Sequence, residues 1–131
     1  RGSLYGRTGK YQQAIDDFSK LIAINPQDAN TYFNMGISYN GMGDFQQAIM
    51  SYSKVIELAP DHVAAYFNRG MSYAGLNRPT EAIRDFEEAI RLNPQYAKAY
   101  YNMGMIYSKM GDTDKANQNF EIAERLRLKT K

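Results

Sequence analysis

The stretch ANTYFNMGISYNGMGDFQQAIMSYSKVIELAPDH, residues 29–62, decides the fold. Tyr32, Met35, Gly36 and Tyr39 lie at helical spacing, which predicts a first helix from about Asn30 to Met42 with these side chains on one stripe. Gly43-Asp44 then interrupts. Glycine tolerates the left-handed conformation that ends a helix, and an aspartate side chain accepts from the unpaired N–H groups that open the next one. A second helix carries Ala48, Ile49, Tyr52, Val55 and Ile56 on one face. Ala59-Pro60-Asp61 closes the unit, because proline resists continuation and Asp61 is placed to cap the next unit.

The same unit recurs along the chain. Pro26, Pro60 and Pro94 are each 34 residues apart, and so are Gly2, Gly36, Gly70 and Gly104. Tyr5, Tyr39, Tyr73 and Tyr107 keep the period, as do Ala14, Ala48, Ala82 and Ala116, and Phe18, Tyr52, Phe86 and Phe120. Residues 63–96 write Asn77 where their neighbours have glycine; Asn is the next most tolerant residue of positive φ, and Pro79 suits a first helical turn. Each unit therefore reads as two antiparallel helices, with Gly and Ala where the pair approaches closely. One such pair cannot bury its apolar face, whereas stacked pairs share a continuous core.

Composition narrows the function. The chain has 131 residues, 16 Lys+Arg against 14 Asp+Glu, a formal net charge of +2, one His and no Cys. A disulfide framework, zinc knuckle or thiol nucleophile is excluded, and His62 by itself furnishes no His-based metal site. So small a net charge gives no basis for nucleic acid or an anionic membrane as partner. No run approaches the roughly 18 apolar residues of a membrane-spanning helix. No cofactor is expected.

These registers closely resemble the tetratricopeptide repeat. The family's first large aromatic corresponds to Tyr32, Tyr66 and Tyr100, and its small-residue pair to Gly36 with Ala48, Gly70 with Ala82, and Gly104 with Ala116. The resemblance implies an all-α, right-handed superhelix of antiparallel helix pairs forming a single domain over 1–131. It has a partial repeat at 1–28 and complete repeats at 29–62, 63–96 and 97–130. Arg1-Gly2-Ser3-Leu4-Tyr5 aligns with Arg69-Gly70-Met71-Ser72-Tyr73, and Leu128 stands where a further proline is expected. We expect a piece of a longer protein, or one that covers its end by self-association.

Function must lie on faces the core does not need. A second stripe of the first helices holds Asn30, Phe33, Asn34, Ile37 and Gly41, then Ala64, Phe67, Asn68, Met71 and Gly75, then Lys98, Tyr101, Asn102, Met105 and Lys109. By family resemblance this stripe lines the concave groove where partners bind. Phe33, Phe67 and Tyr101 make an aromatic row, and Ile37, Met71 and Met105 an aliphatic one. Such rows either pack between neighbouring helices or meet a partner, with methionine adapting its shape. Asn34, Asn68 and Asn102 offer donors and acceptors suited to a peptide backbone. A carboxylate clamp known in relatives would fall on Phe33, Ile37, Asn68, Lys98 and Asn102. Only Asn68 and Lys98 match it, so the clamp is disfavoured.

The remaining polar residues read as structural. Asp16, Asp17, Asp85, Glu87 and Glu88 are expected to be solubilising charges on second helices, His62 a structural or inert residue of an inter-repeat turn, and the basic end (Arg125, Arg127, Lys129, Lys131) a solvated helix terminus. The expected function is protein–protein interaction without catalysis, binding a peptide or helical segment of another protein in the groove. The alternatives are a scaffold that self-associates through terminal helices via Ile122, Leu126 and Leu128, and the substrate-selecting arm of a larger enzyme. RNA binding would need basic residues recurring beside the groove aromatics, and none recur. The cytoplasm is a default compartment only.

Overall fold

The computed structural model describes residues 2–129, with side chains from Gly9 onward. The expectations placed on Arg1, Gly2, Ser3, Tyr5, Thr130 and Lys131 lie outside those described side chains. The described residues form seven helices: α1 (Gly2–Ile24), α2 (Ala29–Gly41), α3 (Phe45–Leu58), α4 (Val63–Gly75), α5 (Pro79–Leu92), α6 (Ala97–Met110) and α7 (Thr113–Lys129). α2 pairs with α3, α4 with α5 and α6 with α7, while α1/α2, α3/α4 and α5/α6 join successive pairs. The result is an all-α repeat superhelix.

Small residues let the helices of a pair meet. A Cβ on Gly36 would stand 2.5 Å from the Tyr52 ring, on Gly70 2.8 Å from Phe86, and on Gly104 2.6 Å from Phe120. Those separations are far inside carbon–carbon contact, so only glycine admits the rings. Ala48, Ala82 and Ala116 are buried beside them. The turns between paired helices use the left-handed region, at Gly43 (φ 82°), Asn77 (φ 62°) and Gly111 (φ 88°). Asn77 thus does the work of glycine.

Caps fix where each helix starts. Asp44 accepts from the Gln47 N–H at 3.3 Å and opens α3, and Pro79 occupies the first turn of α5. Asp61, expected to cap the following unit, does not. The cap of α4 is His62, whose Nδ1 accepts from the Ala65 N–H at 3.1 Å. His62 stands two residues beyond Pro60, in the same register as Asp28 beyond Pro26 and Tyr96 beyond Pro94. His62 is therefore structural, one of the two roles expected of it: its side chain caps α4.

Two departures break the repeat symmetry. In register, Gly9-Lys10 corresponds to Gly43-Asp44, yet α1 passes through it without a turn. Lys10 carries no acceptor oxygen, so nothing rewards ending one helix and starting another there. The second departure is at the junctions between pairs. A Cβ on Gly41 would collide with the Tyr11 ring, and one on Gly75 would stand 2.7 Å from the Phe45 ring. These are ring-on-glycine contacts across α1/α2 and α3/α4. At α5/α6 the same registers hold Pro79 and Lys109, and a cleft of about 110 Å³ opens among Ala74, Asn77, Pro79, Ile106, Lys109 and Met110.

Candidate functional site

The second stripe of α2, α4 and α6 presents its rows differently. Ile37, Met71 and Met105 stand one unit apart at nearly matched exposures of 44%, 38% and 43%. Isolated exposed apolar residues are ordinary, but the same register left open in three successive units is a recurring apolar row.

The aromatic row is divided. Phe67 is buried, its ring 5.5 Å from Phe86 and 5.0 Å from Tyr96. Phe33 is half-buried between Tyr52 at 5.8 Å and His62 at 4.9 Å. The ring or imidazole that begins the next unit closes over each of them. Phe67 therefore lies beneath the stripe rather than on its open face. Among the described residues the Tyr101 ring meets one ring, Phe120 of its own pair at 5.5 Å, and it is 53% exposed.

The asparagines also differ. Asn34 is exposed, whereas Asn68 and Asn102 are half-buried. Burial pushes the Tyr52 hydroxyl up to about 12, and the hydrogen-bonded Asn68 amide opposes that rise. Asn102 donates from Nδ2 to the Lys98 carbonyl at 2.8 Å. The Lys98 side chain is exposed, in the same turn. Two of the three amides thus already hold bonds within the chain that a ligand would have to exchange.

One polar cluster was not anticipated. Asp85, expected to be a solvated charge, is 5% exposed and accepts from Arg69 Nε and Nη2, both at 2.8 Å. Arg69 Nη1 donates to Ser53 Oγ at 3.1 Å, and its guanidinium lies 5.8 Å from the Tyr66 ring and 6.0 Å from Tyr73. Donation to Asp85 raises the Arg69 pKa above its ordinary value, against desolvation. The cluster ties α3, α4 and α5 together. Its trace in the sequence is a joint departure from the period: Arg69 replaces Met35 and Met103, while Asp85 replaces Ser51 and Asn119. By contrast Asp16, Asp17 and Glu87 are exposed as expected, and Glu88 pairs with Arg91 at the surface.

At the other end of the array, α6 and α7 enclose a groove of about 530 Å³ lined mainly by apolar atoms, with Tyr101, Phe120, Ala123 and Leu126 in its wall. Lys98 and Tyr101 therefore belong to this terminal groove as well as to the stripe. No helix among the described residues is long and apolar enough to cross a membrane.

Models of the tetratricopeptide repeat match residues 27–95 and 86–118, and a further model of the same repeat matches 2–43. The chain belongs to the tetratricopeptide-repeat family. Tetratricopeptide repeats are protein-interaction and scaffold modules, typically non-catalytic, and they take proteins as partners. No curated protein matches the chain by sequence. Among solved structures, one described as the crystal structure of MamA superposes with a TM-score of 0.90 at 25% identity, over 96% of this chain and 74% of that one. A second, MamA MSR-1 C2, gives 0.84 at 25% identity, over 97% and 73%. The MamA 41-end fragment from Desulfovibrio magneticus RS-1 gives 0.87 at 22% identity, over 92% and 68%. The last of these likenesses bears on the fold alone.

Proposed function

We propose that the repeats at 29–62, 63–96 and 97–130, with the partial unit 1–28, act as one domain that holds a peptide or helical segment of another protein along the face of α2, α4 and α6. The observation that carries this reading is the strip of Ile37, Met71 and Met105, open to the same degree in three successive units. Asn34, Asn68 and Asn102 run beside it, and Lys98 supplies positive charge near one end. Phe33 and Phe67 back the wall, and Tyr101 extends it. Apolar anchors provide affinity and amides provide register on the ligand main chain.

Each anchor buried by a ligand is worth ~1.5–3 kcal/mol. Replacing Ile37, Met71 and Met105 together with Ser should therefore weaken a mapped partner segment by at least ~100-fold, read by calorimetric titration. Unchanged affinity would place the ligand elsewhere. Replacing the three asparagines with Ala separates backbone gripping from local bonding: affinity should fall without loss of helicity.

A second reading rests on the terminal helix. Leu128 is 56% exposed, and Ile122 and Leu126 are half-buried on α7. Self-association through that surface would appear as a mass that rises with concentration in light scattering. A monomer at high concentration removes it.

A further inference from the structure

We propose that the cleft between α5 and α6, lined by Ala74, Asn77, Pro79, Ile106, Lys109 and Met110, receives an aromatic side chain, Tyr or Phe, from a partner peptide. The molecule itself shows what fits there. At the two earlier junctions a ring opens the second helix of one pair and closes on a glycine of the next: Tyr11 on Gly41 and Phe45 on Gly75. The third junction writes Pro79 in the register of the ring and Lys109 in that of the glycine. The compact proline ring does not reach as far as a phenyl group, so the place a ring fills twice is left open.

A second, coupled change makes its walls apolar. Between α2 and α4 the buried Ser72 donates from Oγ to Asn40 Oδ1 at 2.8 Å. In those registers α4 and α6 carry Ala74 and Ile106, which cannot form that bond. Ring and hydrogen bond are thus lost at one junction together. What replaces them is a cleft of about 110 Å³ whose lining comes from α4, its turn into α5, α5 and α6, so it lies inside the array and not at its end. An apolar cavity of about 150 Å³ holds a benzene ring, and this cleft is of similar size with an open mouth. Lys109 adds an exposed ammonium on a flexible stem, which favours the face of a ring over an alkyl group. Lys109 also stands one turn beyond Met105 on α6. A segment held along Ile37, Met71 and Met105 would bring a ring to this cleft, and the choice of a peptide as the bearer rests on that reading.

The probe is N-acetyl-tyrosinamide, titrated into the 131-residue protein and followed by backbone amide NMR shifts, with N-acetyl-leucinamide as its aliphatic counterpart. Saturable shifts are expected at residues 74–78 and 106–110, with the tyrosine compound binding at least ~5-fold more tightly than the leucine one. Pro79→Phe combined with Lys109→Gly copies the α3/α4 junction and places the chain's own ring in the cleft. It should weaken the probe by at least ~10-fold and raise the urea midpoint of unfolding. Should that double variant lose helicity, Ala74→Leu fills the cleft from an exposed position at the end of α4, and it should weaken the probe to a similar degree.

The assignment is overturned by shifts that do not saturate, by shifts centred on Ile37 and Met71, by equal binding of the leucine compound, or by a filled cleft that binds the probe unchanged. The probe reads the cleft alone. A partner indifferent to the loss of Ile37, Met71 and Met105 would therefore remove the row as its seat while leaving the ring site standing.

Discussion

The middle pair, α4/α5, and the last pair, α6/α7, are written on the same 34-residue template yet meet different environments. Phe67 and Phe86 are buried; their counterparts Tyr101 and Phe120 are exposed and half-buried. Arg69 and Asp85 form a buried ion pair where Met103 and Asn119 stand in the last unit. A residue's register sets which way it points, but the neighbouring unit decides whether it becomes core or surface. An array of near-identical repeats thus acquires distinct faces without distinct folds.

The sharpest way to break this comparison is to truncate one register in both pairs. Phe67→Ala should cost about 3–4 kcal/mol in urea denaturation, and Tyr101→Ala less than about 0.5 kcal/mol. Equal losses would mean that the last pair is covered in solution. Next in size is the ion pair. Asp85→Ala strands the Arg69 guanidinium and should cost about 3 kcal/mol, because a buried charge loses its partner. The double change Arg69→Met with Asp85→Ser, which copies the 29–62 unit, should recover most of that loss. If it does not, the cluster does more than satisfy itself.

Alkaline pH probes the buried phenol of Tyr52. Its folded value is pushed up to about 12 from 10.0, so between those limits the unfolded chain releases a proton that the folded chain keeps. Stability should fall as pH rises through that window, by up to about 1.4 kcal/mol per pH unit, and Tyr52→Phe should flatten the slope relative to the unchanged chain. The smallest effect concerns the caps. His62→Ala should cost about 1 kcal/mol and His62→Asn much less, since an Asn side chain restores an acceptor. Thermal melts would distinguish them.

The helix pairs, their turns and the small residues at their crossings were legible because each derives from one periodic pattern. Gly43, Asn77 and Pro79 stand where backbone geometry demands them. The features that escaped reading depend on two registers at once. Asp85 looks solvent-facing on α5 alone, and only its simultaneous departure with Arg69 betrays a pair. His62 and Tyr96 look like turn residues until the preceding unit's Phe33 and Phe67 are seen beneath them. The aliphatic strip could be read as a row, but its openness depends on packing that periodicity does not encode.

The proline and lysine at the α5/α6 junction have a mechanical consequence. Tyr11 on Gly41 and Phe45 on Gly75 act as detents that resist sliding between successive pairs, whereas Pro79 opposite Lys109 leaves a gap. Under load or mild denaturant the final hairpin should be the first to swing away from the rest, so amide protons of residues 97–129 would exchange with solvent before those of residues 45–92. A single missing ring-on-glycine contact thus sets where the array is most easily bent.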